Sequence, residues 1–363
     1  GALTGVERLL NDGADVNGKG IDSLLPLCRA AFYGRVDVVK LLIERGADLE
    51  ATAIETSSGP FLDVGSVPAV HLAIYGCHIE ALQVLLEAGA NPNSPDSCGT
   101  TPLMAVSYDT IPTATASEMA AALLSAGADL LLESEAHKGW KAIHYAARRG
   151  DTLLVSKFLS KEPTTVNATA EDGAAPLVVA AQLGHGETVS FLLSAGASDV
   201  GALATKGVGA LFQAANQGHA NVVRILLDKG YEAVGGFIKI ARAIGCSIRK
   251  DFVSILRMLL YAKDETLRKV LARTRLRITR PKDTFEHEPV LHAAARFCSY
   301  RSAGVLLSAG ADELAINAQG ERAGDVIGSF VEKDSSRKEA WEAALRRMLK
   351  RGPAFRAQSW MWP

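Results

Sequence analysis

Short blocks of apolar residues spaced three or four positions apart recur along the chain, and each block ends near a glycine. One block runs over Val38–Ile43 and is followed by Gly46. Apolar positions at this spacing predict an amphipathic helix, and a glycine just beyond suits the left-handed conformation that commonly ends a helix. Equivalent glycines stand at positions 89, 127, 196, 230 and 310. The pattern therefore predicts a series of short helices of similar length.

A second, shorter apolar block precedes most of these helices and contains a pair of small residues. Examples are PLCRAAFYG at 26–34, AIHYAARRG at 142–150 and PLVVAAQLG at 176–184. Proline is tolerated in the first turn of a helix, where its missing N–H would have no partner. The Ala-Ala pair keeps the helix thin, so that neighbouring helices can approach closely. A single helix pair could not bury its apolar face alone, so we expect the pairs to stack.

The blocks together form an internal repeat. The spacing from Gly150 to Gly184 and from Gly184 to Gly218 is 34 residues in both cases. These residues resemble the ankyrin-repeat family, whose pattern is G-x-T-P-L-H-x-A-A-x-x-G-H, a Val/Leu-rich helix and then G-A-D-V-N. The resemblance covers nearly the whole chain and implies an all-α solenoid of about nine to ten helix-turn-helix repeats with short hairpin loops.

The repeats define four segments. We expect a repeat stack over residues 1–262, in which the first repeat is partial and the last degenerate, and a basic insertion over 263–287. Further repeats and a charged capping helix are expected over 288–350, and 351–363 form a tail that contains Trp360 and Trp362. Because the sequence opens inside a repeat and without Met, we expect it to be a fragment or a processed form.

Composition and charge narrow the function classes. A net charge of −1 points to no particular partner, and the apolar runs are too short to span a membrane. The five cysteines are isolated, with no CxxC pair, which argues against a metal site and against a disulfide framework. We therefore expect an intracellular protein, in the cytoplasm or the nucleus.

No catalytic motif stands out. His71, His144 and His292 occupy the same position of the repeat, and the resemblance implies that this histidine bonds to the backbone of the next repeat. G-x-S-x-G, HExxH and Walker sequences do not occur, nor does a GxGxxG in its strand–helix context. We expect no active site, no metal and no cofactor.

The resemblance implies a partner on the concave side, where the two positions after the Ala-Ala pair face solvent. The first of these positions are read as Phe32, Ile74, Ser107, Arg148, Gln182, Asn216 and Arg296. Aromatic and arginine residues are enriched at interface hot spots. We therefore predict one partner-binding strip, formed by Phe32, Tyr33, Tyr75, Tyr108, Arg148 and Arg149. The alternative is that these aromatic residues pack against neighbouring repeats.

Three insertions interrupt the repeat. The first, Ala51–Val67, contains Phe61 and Leu62, which are predicted to be a contact tip, and the second is Asp109–Ser117. The third, Lys263–Lys282, has eight Lys and Arg against two acidic residues. It predicts either contacts to nucleic acid or an acidic surface, or an amphipathic helix over 266–272 that docks on the stack. The candidate anion contacts are Arg273, Arg275 and Arg277.

These observations favour a non-enzymatic protein-binding scaffold or adaptor with an unidentified protein partner. Two alternatives stay open. The chain is also consistent with the substrate-recognition or regulatory region of a larger enzyme, such as a ubiquitin ligase, and with a structural subunit of a large assembly. Binding of nucleic acid would depend on residues 263–282 alone.

Overall fold

A computed structural model describes residues 2–18, 25–53, 66–198, 209–229, 236–261, 275–279, 285–297, 299–312 and 314–327, with three isolated positions at 339, 343 and 347. Several sequence predictions lie outside the described residues. They are the contact tip Phe61 and Leu62, the cation Arg273, the helix expected over 266–272 and the tail 351–363.

Two series of helices alternate along the chain, which confirms the predicted helix pairs. The first helices of the repeats are α2 (Pro26–Phe32), α4 (Ala69–Tyr75), α6 (Pro102–Ala105), α8 (Ala142–Arg149), α10 (Pro176–Leu183), α12 (Ala210–Gln217), α14 (Gly236–Arg249) and α16 (Val290–Arg296). The second helices are α1 (Ala2–Asn11), α3 (Val36–Glu44), α5 (Ile79–Glu87), α7 (Thr113–Ser125), α9 (Thr152–Lys161), α11 (Gly186–Ser194), α13 (Ala220–Asp228), α15 (Val253–Leu260) and α17 (Tyr300–Ser308).

The chain divides into two compact units. Unit 1 comprises Gly1–Ala180 and Ser190–Ala197, and unit 2 comprises Ala181–Val189 and Ser198–Pro363. Within unit 1, the first helices α2, α4, α6 and α8 pack in series, and so do the second helices α1, α3, α5, α7 and α9. Within unit 2, α12, α14 and α16 form one series and α13, α15 and α17 the other. Each unit is therefore a stack of helix pairs.

The core consists of the small residues of the first helices and the branched residues of the second. Ala31, Ala147, Leu42 and Leu82 are all fully buried. Small side chains let the first helices approach each other, and the larger aliphatic ones fill the layer between successive pairs. The apolar positions from which the two helix series were predicted are therefore the positions that form the core.

Within the described residues, two short pairs of antiparallel strands accompany the helices. Strands β1 (Thr52–Ala53) and β2 (Val67–Pro68) pair at the base of the first insertion. Strands β3 (Arg275–Thr279) and β4 (Phe285–Pro289) pair just before α16. The second insertion is partly helical, because α7 begins at Thr113, inside it.

The repeated histidine has the structural role that the resemblance implies. The Nε2 atom lies 2.9 Å from the Thr100 carbonyl in His71, 3.2 Å from that of Ala168 in His144, and 2.8 Å from that of Glu321 in His292. Each bond joins the histidine to the backbone of the following hairpin loop. These histidines therefore connect successive repeats.

Whether the other ring nitrogen, Nδ1, receives a hydrogen bond depends on the residue that precedes the helix. The Lys141 N–H donates to Nδ1 of His144 at 3.0 Å. Pro68 and Pro289 precede the helices of His71 and His292. Because proline has no N–H, Nδ1 of these two histidines is buried without a hydrogen-bond partner among the described residues.

Cys77 occupies a backbone conformation that glycine holds elsewhere. Its φ is 59°, and the equivalent Gly34 and Gly150 have φ of 63° and 76°. A residue with a side chain loses about 1–2 kcal/mol of stability in this left-handed region. Replacing it with glycine removes that strain, but part of the gain is lost because glycine loses more conformational freedom on folding. We expect Cys77→Gly to raise the free energy of unfolding by about 0.5–1 kcal/mol, measured by chemical denaturation.

Asp251, which has a φ of 54°, is the matched control. Its Oδ1 accepts hydrogen bonds from the backbone N–H of Ser302 at 3.1 Å and from its hydroxyl at 2.8 Å. Asp251→Gly relieves the same strain but removes both bonds, so the protein should become less stable. A destabilised Cys77→Gly variant would contradict the strain argument.

Candidate functional site

The strip residues of successive repeats occupy one register on the first helices of unit 1. Counted from the repeated histidine position (Cys28, His71, Met104 and His144), the third residue is always buried: Ala31, Ile74, Ser107 and Ala147. The fourth residue is Phe32, Tyr75, Tyr108 and Arg148, and none of the four is fully buried. The predicted strip thus has an equivalent member on four consecutive repeats.

This register corrects part of the sequence interpretation. Ile74 and Ser107 were expected to face solvent, but they are 0% and 5% exposed. Ile74 and Ser107 occupy the position of the second alanine of the pair. Because neither residue is alanine, the pair was not recognised and the solvent-facing position was assigned one residue too early. Arg296 was also expected to be exposed; it is 5% exposed, and its Nη2 lies 3.9 Å from Glu321 Oε2.

Tyr75 and Tyr108 form the centre of the strip. Their rings stack with centroids 5.9 Å apart and planes 6° from parallel. The Tyr75 hydroxyl donates to Asp96 Oδ2 at 3.3 Å, and the Tyr108 hydroxyl lies 3.5 Å from Thr100 Oγ1. Both rings are half-buried. The packing between repeats that we considered as an alternative therefore exists, and it leaves part of each ring accessible.

The phenols of this pair stay neutral at ordinary pH. Burial raises the pKa of Tyr75, and the neighbouring Tyr108 and Asp96 raise it further. Burial also raises the pKa of Tyr108. Asp96 itself is held by the N–H groups of Cys98 at 2.9 Å and Thr100 at 2.8 Å. The pair is thus a fixed, uncharged aromatic surface with hydroxyl groups along one edge.

The N-terminal end of the strip is more open. The rings of Phe32 and Tyr33 meet edge to face with centroids 5.1 Å apart. Tyr33 is 59% exposed, and Phe32 is half-buried. Such a pair offers apolar area together with one hydroxyl group, as is common at protein interfaces.

The two arginines at the other end have different environments. Arg148 is exposed. Arg149 donates to the carbonyls of Val106 at 3.3 Å and Tyr108 at 2.9 Å, and also to the carbonyl of Ile111. Its side chain is only 10% exposed, and its Nε lies 3.6 Å from Asp151 Oδ2. Arg149 therefore positions the loop that follows Tyr108, a role that the sequence analysis did not foresee.

An aromatic hairpin beside the strip was also missed. The Tyr145 hydroxyl donates to Ser134 Oγ at 2.8 Å and lies 2.9 Å from Nδ1 of His137. The Trp140 ring meets Tyr145 edge to face at 5.5 Å. Burial raises the pKa of Tyr145, while the hydrogen bond to Ser134 and the charge of Arg148 lower it. The signal in the sequence was His137 and Trp140 within a single hairpin loop.

Two of the predicted anion contacts lie on a β-strand. Arg275 and Arg277 lie on β3, where they pair in register with Pro289 and His287. Among the described residues, no three His, Cys, Asp or Glu side chains gather as metal ligands would. No helix within the described ranges has the length and apolar character to cross a membrane.

Comparison with known proteins gives three matches to family models. A model of ankyrin repeats in three copies matches residues 114–204, one of ankyrin repeats in many copies matches 70–108, and one of the single ankyrin repeat matches 24–54. All six residues of the strip lie within these matched segments.

Curated relatives match parts of the chain. Ankyrin repeat and SOCS box protein 3 of Bos taurus is 32% identical over 174 residues, which are 48% of this chain and 30% of the relative. SH3 and multiple ankyrin repeat domains protein 1 of Homo sapiens is 33% identical over 147 residues, 40% of this chain and 6% of the relative. Palmitoyltransferase Hip14 of Drosophila melanogaster is 30% identical over 99 residues, 27% of this chain and 14% of the relative. The chain spans less than a third of the length of each of these relatives.

Proposed function

We propose that this chain is a non-enzymatic scaffold or adaptor that holds a partner protein on the first-helix strip of unit 1, since models of ankyrin repeats match residues 24–54, 70–108 and 114–204. The observation that carries the proposal is the shared register of Phe32, Tyr75, Tyr108 and Arg148 on four consecutive repeats. The resemblance to the family assigns this side of the repeats to the concave binding surface.

The side chains at the centre of the strip are already held in place before a partner binds. Hydrogen bonds to Asp96 and Thr100 hold the stacked tyrosines, and Arg149 fixes the loop after Tyr108. A partner that covers rigid aromatic rings loses little conformational entropy while it buries a large area. Tyr33 and Arg148, at the two ends, are exposed and can adapt to the partner.

An intracellular location forms part of the proposal. Among the described residues, Cys77, Cys98 and Cys246 form no disulfide, which is in keeping with a reducing compartment.

A second candidate function is the recognition region of a larger protein. One relative is named a palmitoyltransferase and another an ankyrin repeat and SOCS box protein, and the chain spans only part of each. In this case the strip would select the protein on which the remaining part of a longer chain acts. The two functions share the same binding surface.

The test replaces the two exposed ends of the strip. We expect Tyr33→Ala/Arg148→Ala to reduce the capture of specific partners from cell extract at least tenfold, because hot-spot truncations cost about 2 kcal/mol or more. Quantitative mass spectrometry of the captured proteins measures the change. Both residues are exposed, so the thermal midpoint should change little.

The matched control is Lys40→Ala/Leu153→Ala, which removes one exposed cation and one exposed apolar side chain from second helices. It should capture the same proteins as the unmodified chain. Equal loss in both variants, or no loss in the strip variant, would contradict the proposal. Tyr75→Ala/Tyr108→Ala tests the packing alternative, since lower stability with unchanged capture would assign these rings to structure alone.

A further inference from the structure

Acidic and basic residues are divided unequally between the two helix series. The sequences of the first helices contain seven Lys and Arg residues and no Asp or Glu, whereas those of the second helices contain eight acidic and seven basic residues. Charges of one sign on one helix series produce a local field even though the net charge of the chain is −1. The seven cations lie on α2, α8, α14 and α16, and no acidic residue accompanies them on these helices.

In unit 2 this charge is concentrated on one face of α14. Arg242 and Arg249 lie on this helix, Lys250 follows it directly, and all three are exposed. Burial raises the pKa of the Cys246 thiol, and the charges of Arg249, Lys250 and Arg242 all act to lower it. Because Arg242 and Arg249 are two helical turns apart, they lie on the same side of α14, and Lys250 is next to Arg249.

The neighbouring helix α12 orients these side chains. Nη2 of Arg249 donates to Oδ1 of Asn216 at 3.2 Å, and Nζ of Lys250 donates to the backbone carbonyl of Asn216. The guanidinium of Arg242 lies 5.9 Å from the centre of the Phe212 ring. Asn216 offers only neutral oxygens to Arg249 and Lys250, so its two bonds hold these side chains in place without neutralising them.

The acidic residue next to this cluster is engaged elsewhere. Asp251 follows Lys250 directly, but its Oδ1 accepts both hydrogen bonds from Ser302. Like charges held close together repel one another. A ligand with several negative charges would relieve this repulsion, and carboxylates are suited to the forked donors of arginine.

We propose that the α12–α14 basic patch, formed by Asn216, Arg242, Arg249 and Lys250, binds a peptide segment of a partner protein that carries several Asp or Glu side chains. The proposal is independent of the strip in unit 1. Single-stranded nucleic acid fits less well, because it uses open aromatic faces for base stacking. Here Arg242 lies over the ring of Phe212 and Lys250 over that of Phe252.

The experiment measures fluorescence anisotropy of a labelled oligoglutamate peptide with the full chain at low and at physiological salt. We expect binding that weakens with salt, and Arg249→Gln/Lys250→Gln should lower the affinity at least tenfold. The exchanged pair Arg249→Lys/Lys250→Arg keeps both charges and should retain the affinity within about threefold. Retention in this variant separates loss of charge from loss of fold.

The matched control is Arg224→Gln/Arg257→Gln, which removes two exposed cations from second helices of unit 2. It should bind oligoglutamate within about twofold of the unmodified chain. Equal losses in the patch variant and the control would overturn the proposal. It would also be overturned if oligothymidylate of the same length or anionic lipid vesicles bound through Arg249 and Lys250 while oligoglutamate did not.

Discussion

Replacement of Arg149 by alanine is expected to lower the free energy of unfolding of unit 1 by about 3 kcal/mol, because hydrogen bonds to a charged group contribute about 1.5–3 kcal/mol each and several are lost together. The guanidinium bonds to the carbonyls of Val106, Tyr108 and Ile111. Without it, these carbonyls lose a donor, and the buried carboxylate of Asp151 loses the cation whose Nε lies 3.6 Å from its Oδ2. Hydrogen exchange followed segment by segment measures the loss in unit 1.

Arg148 is the natural control for this prediction. It is adjacent in the chain but exposed, and its change to alanine should alter stability by no more than about 0.5 kcal/mol. Arg149→Lys should give an intermediate loss, because a single ammonium cannot reproduce the planar fork of donors. Equal effects of Arg148→Ala and Arg149→Ala would show that the observed bonds contribute little.

Acid is expected to destabilise unit 1 above the pH range in which carboxylates titrate. Burial lowers the pKa of His144 from 6.5 to about 4, and it lowers that of His71 as well. The unfolded chain therefore binds more protons than the folded one over this range, so stability is complete above pH 6.5 and falls as the pH drops towards 4. His144 alone should cost about 2 kcal/mol between pH 6.5 and 5.

The cause is local and can be tested at one residue. Nδ1 of His144 accepts from the Lys141 N–H, and Nε2 faces the carbonyls of Ala168 and Ala174. A second proton on the ring would be placed on Nδ1, where it would replace the hydrogen bond from the Lys141 N–H with a repulsion between two N–H groups. His144→Gln should lower stability at pH 7.5 and flatten its dependence on pH between 6.5 and 5. An unchanged slope in this variant, or an NMR titration of His144 near pH 6.5, would contradict the prediction.

The helix pairs could be predicted from sequence because they depend on local patterns. The small pair at Ala146 and Ala147 and the aliphatic spacing of Leu82 and Leu85 predict buried faces that the structure contains. Where the pattern is degenerate, the prediction was wrong by one residue: Ile74 replaces an alanine, and Tyr75 takes the register assigned to it. Counting from the histidine position rather than from the Ala-Ala pair gives the correct register.

The contacts of the strip could not be predicted in the same way. Arg148 and Arg149 are neighbours of the same residue type. They differ because they lie on different sides of α8, and only Arg149 reaches the Tyr108 carbonyl, which is far away in the sequence. The pairing of β1 with β2 likewise joins residues on either side of an insertion. The side chains of Arg275 and Arg277 and the tip at Phe61 and Leu62 are not described, so their proposed contacts stay predictions.

The contact between Arg149 and the Tyr108 loop has a mechanical consequence. Stacked repeats depend on nearest-neighbour interfaces, and stretching such a chain tends to detach one repeat after another. Here one side chain clamps the loop before α7 to the end of α8. When force is applied at the N-terminus, successive unfolding of the repeats should stop at the Arg149 contact. The two repeats that this contact joins should then unfold together in one larger step.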